Sequence, residues 1–174
     1  LGRIELGRIL QTERDGRSFA RCSGCAGVVQ VTPVMCRVKH DPPKSYGDCL
    51  RACIATVMDF DSEFVPHFAD MCATGVEARA SARRWLNQRG HTITAFALPA
   101  DPLPSIMEWM GDNNPDTTWL LFGSTAWPDR PGSGGDHVVV CQGGKVVHDP
   151  AWVPTSIKQV GSCGYWEIWV VSKL

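Results

Sequence analysis

Regular hydrophobic patterning begins at Asp48. Over residues 49–60 the apolar side chains Leu50, Cys53, Ile54, Val57 and Met58 recur at i, i+3, i+4, i+7 and i+8. That spacing predicts an amphipathic helix with one buried face. Asp61 and Ser62 can cap a further short helical turn, which Pro66 interrupts. Residues 76–88 are rich in Ala, Arg and Glu and stop at Gly90, which predicts a helix with a glycine terminator. The period then changes. Residues 91–98 alternate with β-branched side chains and read as a strand, 102–110 as a short helix, and 117–124 as a buried strand. A Pro/Gly loop over 127–136 precedes two strands, 137–142 and 145–149, which meet at Gly143-Gly144, a hairpin signal. Residues 165–171 supply a last strand. Helices first and antiparallel strands afterwards predict an α+β domain, with N-terminal helices packed on an antiparallel sheet.

The stretch before this patterning is different. It is polar and Gly-rich, with a brief echo of Leu-Gly-Arg-Ile (1–4, then 6–9) and a Cys22-Ser-Gly-Cys25 pair. Residues 1–38 are therefore expected to be an N-terminal extension, flexible in part, with Met35 a candidate natural start; residues 39–174 form the functional domain.

Composition narrows the functional classes. The 174 residues fit one domain with a real core, and 44% hydrophobic with 20% charged residues is the make-up of a soluble globular protein. Seventeen Lys and Arg against 18 Asp and Glu leave a net charge of -1. Without a basic field, nucleic acid and anionic membrane are not expected partners. Nor does any apolar stretch approach the ~20 residues that cross a bilayer. Eight cysteines (22, 25, 36, 49, 53, 72, 141 and 163) would allow four disulfides in an exported chain. However, no leader pattern opens the sequence, and several of these cysteines lie in apolar runs where a free thiol acts as a small hydrophobe. A cytoplasmic location is the expectation. Of seven tryptophans, five lie beyond residue 118; such a cluster lines a groove or packs a core.

Against that background one cysteine stands apart. Cys49 falls in the first turn of a predicted helix, after Gly47, where backbone N–H groups lack partners and the helix dipole is positive. Both features favour a thiolate and can receive an oxyanion. The bland alternative is a buried cysteine such as Cys53, one turn on. A nucleophilic thiolate needs an imidazole, and the imidazole needs an orienting acceptor. His137 follows the Gly-rich loop and opens a strand, whereas His40, His67 and His91 read as surface or structural. Asp149 closes the partner strand. Hairpin register decides whether the two meet. A two-residue turn puts His137 and Asp149 on opposite faces, whereas a three-residue turn over 142–144 pairs 137 with 149 and sets them side by side. The catalytic reading therefore expects the three-residue, bulged turn.

These residues carry a family resemblance. Tyr46-Gly47-Asp48-Cys49-Leu50-Arg51-Ala52-Cys53 resembles the nucleophile helix of the bacteriocin-processing (double-glycine leader) peptidases, a papain-like group. His137-Val-Val-Val and Val146-Val-His-Asp149-Pro150 resemble that group's histidine strand and its following Asp-Pro. The likeness spans roughly residues 40–170, with specificity in these two blocks. It implies a papain-like fold with Cys49 as nucleophile, His137 as base and Asp149 as orienter. Implied too is hydrolysis of a peptide or isopeptide bond in a peptide or protein substrate, through a thioester acyl-enzyme and with neither cofactor nor metal. One position departs. The family has a glutamine six residues before the cysteine to complete the oxyanion hole, and here that residue is Pro43. Ser45, Tyr46, Lys44 or His40 would have to supply the second donor. Trp127 and Trp152 are candidates to line or shield the site, or else to pack the core.

Two rival readings use the same residues. A metal could be held by Cys22 and Cys25 with Cys36 or His40, or, across a two-residue hairpin turn, by His137, Cys141 and His148. Alternatively, a papain-like module could grip a peptide without cleaving it.

Overall fold

The structure, a computed structural model, describes residues 32–38, 47–100, 102–125, 135–152 and 157–174. The first helix, α1 (Cys49–Met58), ends where Asp59 turns left-handed at φ 52 and gives its N–H to Ala55 and Thr56 carbonyls. Its buried set is a continuous run, Ala52 to Thr56, rather than the predicted stripe. The reason is enclosure from two sides. One side packs on the sheet, and on the other Val34 N–H donates to Thr56 Oγ1 at 3.0 Å, while that hydroxyl donates to Ala52 O at 2.9 Å.

A 3-10 turn (Ser62–Phe64) and a one-turn helix α2 (Phe68–Met71) lead to α3 (Gly75–Asn87). A reciprocal capping box of Thr74 and Glu77 starts α3. The remaining elements are β1 (His91–Leu98), α4 (Leu103–Asn113), β2 (Thr118–Thr125), β3 (Asp136–Gln142), β4 (Lys145–His148), β5 (Ile157–Gln159) and β6 (Trp166–Lys173). They form one antiparallel sheet of order β1-β6-β2-β3-β4, with β5 paired to the end of β2. Three residues are too few to show a period, which is why β5 had no signature in the sequence.

Both sheet faces are covered. Leu120, Phe122, Val138, Val140 and Trp169 pack against Cys53, Ile54, Ala82 and Leu86 of α1 and α3. Alternate residues of the same strands, Trp119, Leu121, Val139, Cys141 and Ile168, pack with Ile106 and Met110 of α4. The α+β class holds, with one refinement: α4 lies on the face opposite the N-terminal helices. Trp119, Trp166 and Trp169 are core residues. Among the described residues no helix is long and apolar enough to cross a membrane.

The β3–β4 hairpin departs from expectation. Gln142 pairs with Lys145, so the turn has two residues, Gly143-Gly144, not three. Gly143 has φ 49, and a Cβ on Gly144 would stand 2.5 Å from the Met107 carbonyl of α4. Glycine is needed at both places. Beyond the turn Cys141 faces Val146, but Val140 faces His148, so Val147 is bulged out of register. One inserted residue reverses the alternation that follows it. Asp149 thereby takes the parity of Val139 and His137. The bulge achieves what a three-residue turn was expected to do.

Candidate active site

The site is built on the start of α1. Asp48 holds the N-cap position, yet its carboxylate, 1% exposed, does not cap the helix. Instead it accepts the backbone N–H groups of Arg37 and Val38, each at 3.1 Å to Oδ1. Arg51, 3.9 Å from Oδ2, offsets its charge. An N-cap aspartate ordinarily takes a first-turn N–H. Here that turn has no side-chain cap, and the positive end of the helix stands at Cys49.

His137, second residue of β3 and paired with Gly123, is positioned by the sheet. Its Nε2 lies 2.8 Å from Asp149 Oδ1. The carboxylate also accepts the Ala151 N–H at 3.0 Å, which fixes its orientation. With Nε2 engaged, Nδ1 is the nitrogen left for Cys49, whose side chain is the ring's other hydrogen-bond partner. Burial on its own lowers the ring's affinity for a proton. The hydrogen bonds to Asp149 and Cys49, together with their charges, outweigh it and raise the imidazole from 6.5 to about 9. The ring is therefore an imidazolium at neutral pH.

Cys49, His137 and Asp149 are thus brought together. Trp152 stands at the rim, 62% exposed, and its indole N–H donates to the Cys36 carbonyl. Ser45, Tyr46, Lys44, His40, Pro43 and Trp127 lie outside the described residues, as do Cys22 and Cys25. His91 sits on β1, at the sheet edge remote from β4, with Nδ1 2.9 Å from the Arg89 carbonyl. His67 precedes α2 and is no part of the site. The bulge overturns the hairpin metal reading, because it sets His148 opposite Val140, on the other parity from His137 and Cys141. His148 Nε2 lies instead 2.8 Å from the Val34 carbonyl. Among the described residues no group of three His, Cys, Asp or Glu is placed to hold a metal.

Sequence reasoning missed the stretch 34–38. It runs along the site, bonded to α1 through Thr56 and Asp48, and to the segment after β4 through Cys36 N–H on the Pro150 carbonyl at 2.9 Å. Nothing local in these residues announces that role, since every partner is more than nine positions away. Six cysteines among the described residues (36, 49, 53, 72, 141 and 163) are free thiols.

A thiol at an uncapped helix start, beside an imidazolium held by a carboxylate, has the parts needed for nucleophilic attack and proton delivery. Comparison of the chain with protein-family models, with curated proteins and with solved structures gives no match.

Proposed function

We propose that the chain is a papain-like cysteine hydrolase that cleaves a peptide or isopeptide bond through Cys49, His137 and Asp149. The observation that carries this reading is the His137 ring, hydrogen-bonded to Asp149 at 2.8 Å and raised in proton affinity by Asp149 and Cys49 together. A helix that opens on the cysteine and an antiparallel sheet that bears the histidine agree with a papain-like arrangement.

In this mechanism Cys49 Sγ attacks the scissile carbonyl carbon. The oxygen that becomes negative is received by the N–H groups at the start of α1. His137 Nδ1 gives its proton to the leaving amine, which departs and leaves a thioester on Cys49. Water then attacks the thioester, passes its proton to His137, and the acid is released with the thiolate restored. Asp149 keeps the ring in the orientation and proton state this cycle needs. No cofactor enters these steps, and the substrate class is a peptide or protein.

Pro43, where the resembled peptidases have glutamine, favours a second reading as a peptide-binding module with little or no turnover. Loss of one oxyanion donor costs about 10²–10³ in rate. One experiment separates the two. The protein is incubated with peptide, ubiquitin-like and peptidoglycan substrates, and intact mass is followed in parallel with Cys49→Ala. The hydrolase reading expects an acyl adduct on Cys49, absent from the variant. Substrate binding without any adduct would establish the module instead.

A further inference from the structure

The two edges of the sheet are finished differently. At one edge β4 has four residues and a bulge at Val147, and segment 34–38 is bonded to its end through His148 and Pro150. Shortness, a bulge and a covering segment each protect an edge strand from pairing with another chain. At the other edge β1 has eight residues in unbroken register with β6. Residues 92–98 contain neither a charged residue nor a proline. Among the described residues β1 has a strand neighbour on one side only. Four consecutive residues, Thr94 to Ala97, are exposed, so the helices on the two faces leave this half of the strand uncovered. Phe96 is 49% exposed.

The bonds to β6 fix which backbone groups face outward. Leu174 N–H donates to the Gly90 carbonyl at 2.8 Å, and the β1–β6 register, continued by one residue, sets these two opposite each other. Bonded and non-bonded pairs alternate along an antiparallel ladder. Residues 92, 94, 96 and 98 therefore bond to β6. His91, Ile93, Ala95 and Ala97 turn their N–H and C=O groups to the open edge.

We propose that β1 pairs antiparallel with β1 of a second copy of this chain, about a two-fold axis at Thr94, so that two sheets join into one. Only this register matches all four outward residues with one another. Ile93 lies opposite the partner subunit's Ala95, and His91 opposite the partner subunit's Ala97, each pair exchanging its two backbone bonds. On the other parity Thr94 meets its own symmetry mate, and Phe96 meets the partner subunit's Thr92. Symmetry makes each unlike pair twice. Threonine on threonine and an aromatic beside a β-branched residue are favourable cross-strand pairs. No charge opposes the contact, and the exposed Phe96 gains cover. A copy of the same strand thus completes its own edge, which is what an isologous interface requires. Strands β6 and β2 separate β1 from β3, so the pairing is independent of the proposed chemistry at Cys49.

Sedimentation velocity of the full chain across the micromolar range tests the pairing. The expected mass rises with concentration to twice that of one chain. Thr94→Lys sets like charges directly opposite each other and should weaken association about tenfold or more. Thr94→Glu should do the same, and an equimolar mixture of the two variants should restore the dimer. Register is read by oxidation. A non-bonded pair brings its Cα atoms to about 4.5 Å, within the disulfide range. Thr94→Cys should therefore cross-link through position 94 in peptide maps, whereas Ala97→Cys, equally exposed, should not link to its symmetry mate. The inference is overturned if the chain keeps a single-chain mass throughout, if a dimer is indifferent to Thr94→Lys, or if position 97 links as fast as position 94.

Discussion

His137 is the residue on which the site turns, and its proton affinity can be checked directly. Its folded value of about 9 exceeds the unfolded 6.5, so between these values the native state binds the proton more tightly. The stability this supplies is complete below pH ~6.5 and is lost as pH rises through ~9. Proton delivery to a leaving group also needs the imidazolium, so activity should fall on the alkaline side at about pH 9. Asp149→Asn keeps the side chain's shape but removes the charge that opposes burial. The ring should then titrate at lower pH, and the alkaline limb of activity should move with it. NMR titration of the His137 ring measures this, and an unchanged value in Asp149→Asn contradicts the assignment of Asp149. Cys49, His137 and Asp149 were legible as residues because each carries a local sign: a helix start, a strand opening after a Gly-rich loop, and an Asp-Pro at a strand end. Asp48 and Cys36 carry none. Asp48 occupies the N-cap position, but what it does there, holding Arg37 and Val38, depends on a segment ten and more residues away.

At the scale of elements, the β3–β4 hairpin joins the base to its orienter. Period-2 patterning located both strands, and Gly143-Gly144 located the turn. The bulge was not legible, because Val146 and Val147 are two identical residues and nothing in them says which is skipped. Long-range packing settles the matter. Trp119 Nε1 binds the Gly143 carbonyl at 3.0 Å and α4 presses on Gly144, which fixes the tight turn. His148 then reaches the Val34 carbonyl from the parity of Val140. Deletion of Val147 removes the bulge and should send Asp149 to the opposite face. The ring of His137 should lose its raised proton affinity in that variant, while the fold, judged by far-UV circular dichroism, persists. Retention of a titration near 9 in a folded deletion variant would show that the bulge does not set the pair. Helix limits were legible to within a few residues, and α3 begins one residue earlier than its pattern predicts, at Gly75, behind the Thr74–Glu77 box.

On the scale of the whole molecule, the site is a junction between two layers. The helical layer brings Cys49, the sheet brings His137 and the segment after β4 brings Asp149. The layers are locked by α3, whose Arg79 and Arg83 lie 3.3 and 3.4 Å from the buried Glu167 of β6. The Trp169 indole satisfies the same carboxylate at 2.6 Å. Segment 34–38 then ties both layers together from outside. Removal of one partner from such a network leaves an uncompensated buried charge. Fold class was readable because hydrophobic period reports directly on burial. The placement of α4 on the far face was not, since its amphipathic pattern says only that one side is covered.

The proposal at the centre of this account is that Cys49 is a nucleophile with His137 as its base, and alkylation at about pH 6, where an ordinary thiol is almost wholly protonated, tests it most directly. Iodoacetamide labelling, resolved by peptide mapping, compares Cys49 with the exposed Cys163 in the wild type and in His137→Ala. The account predicts that Cys49 labels about tenfold faster than Cys163 or more, and that His137→Ala abolishes the difference. Equal labelling of the two cysteines, or a Cys49 rate indifferent to loss of the imidazole, contradicts it.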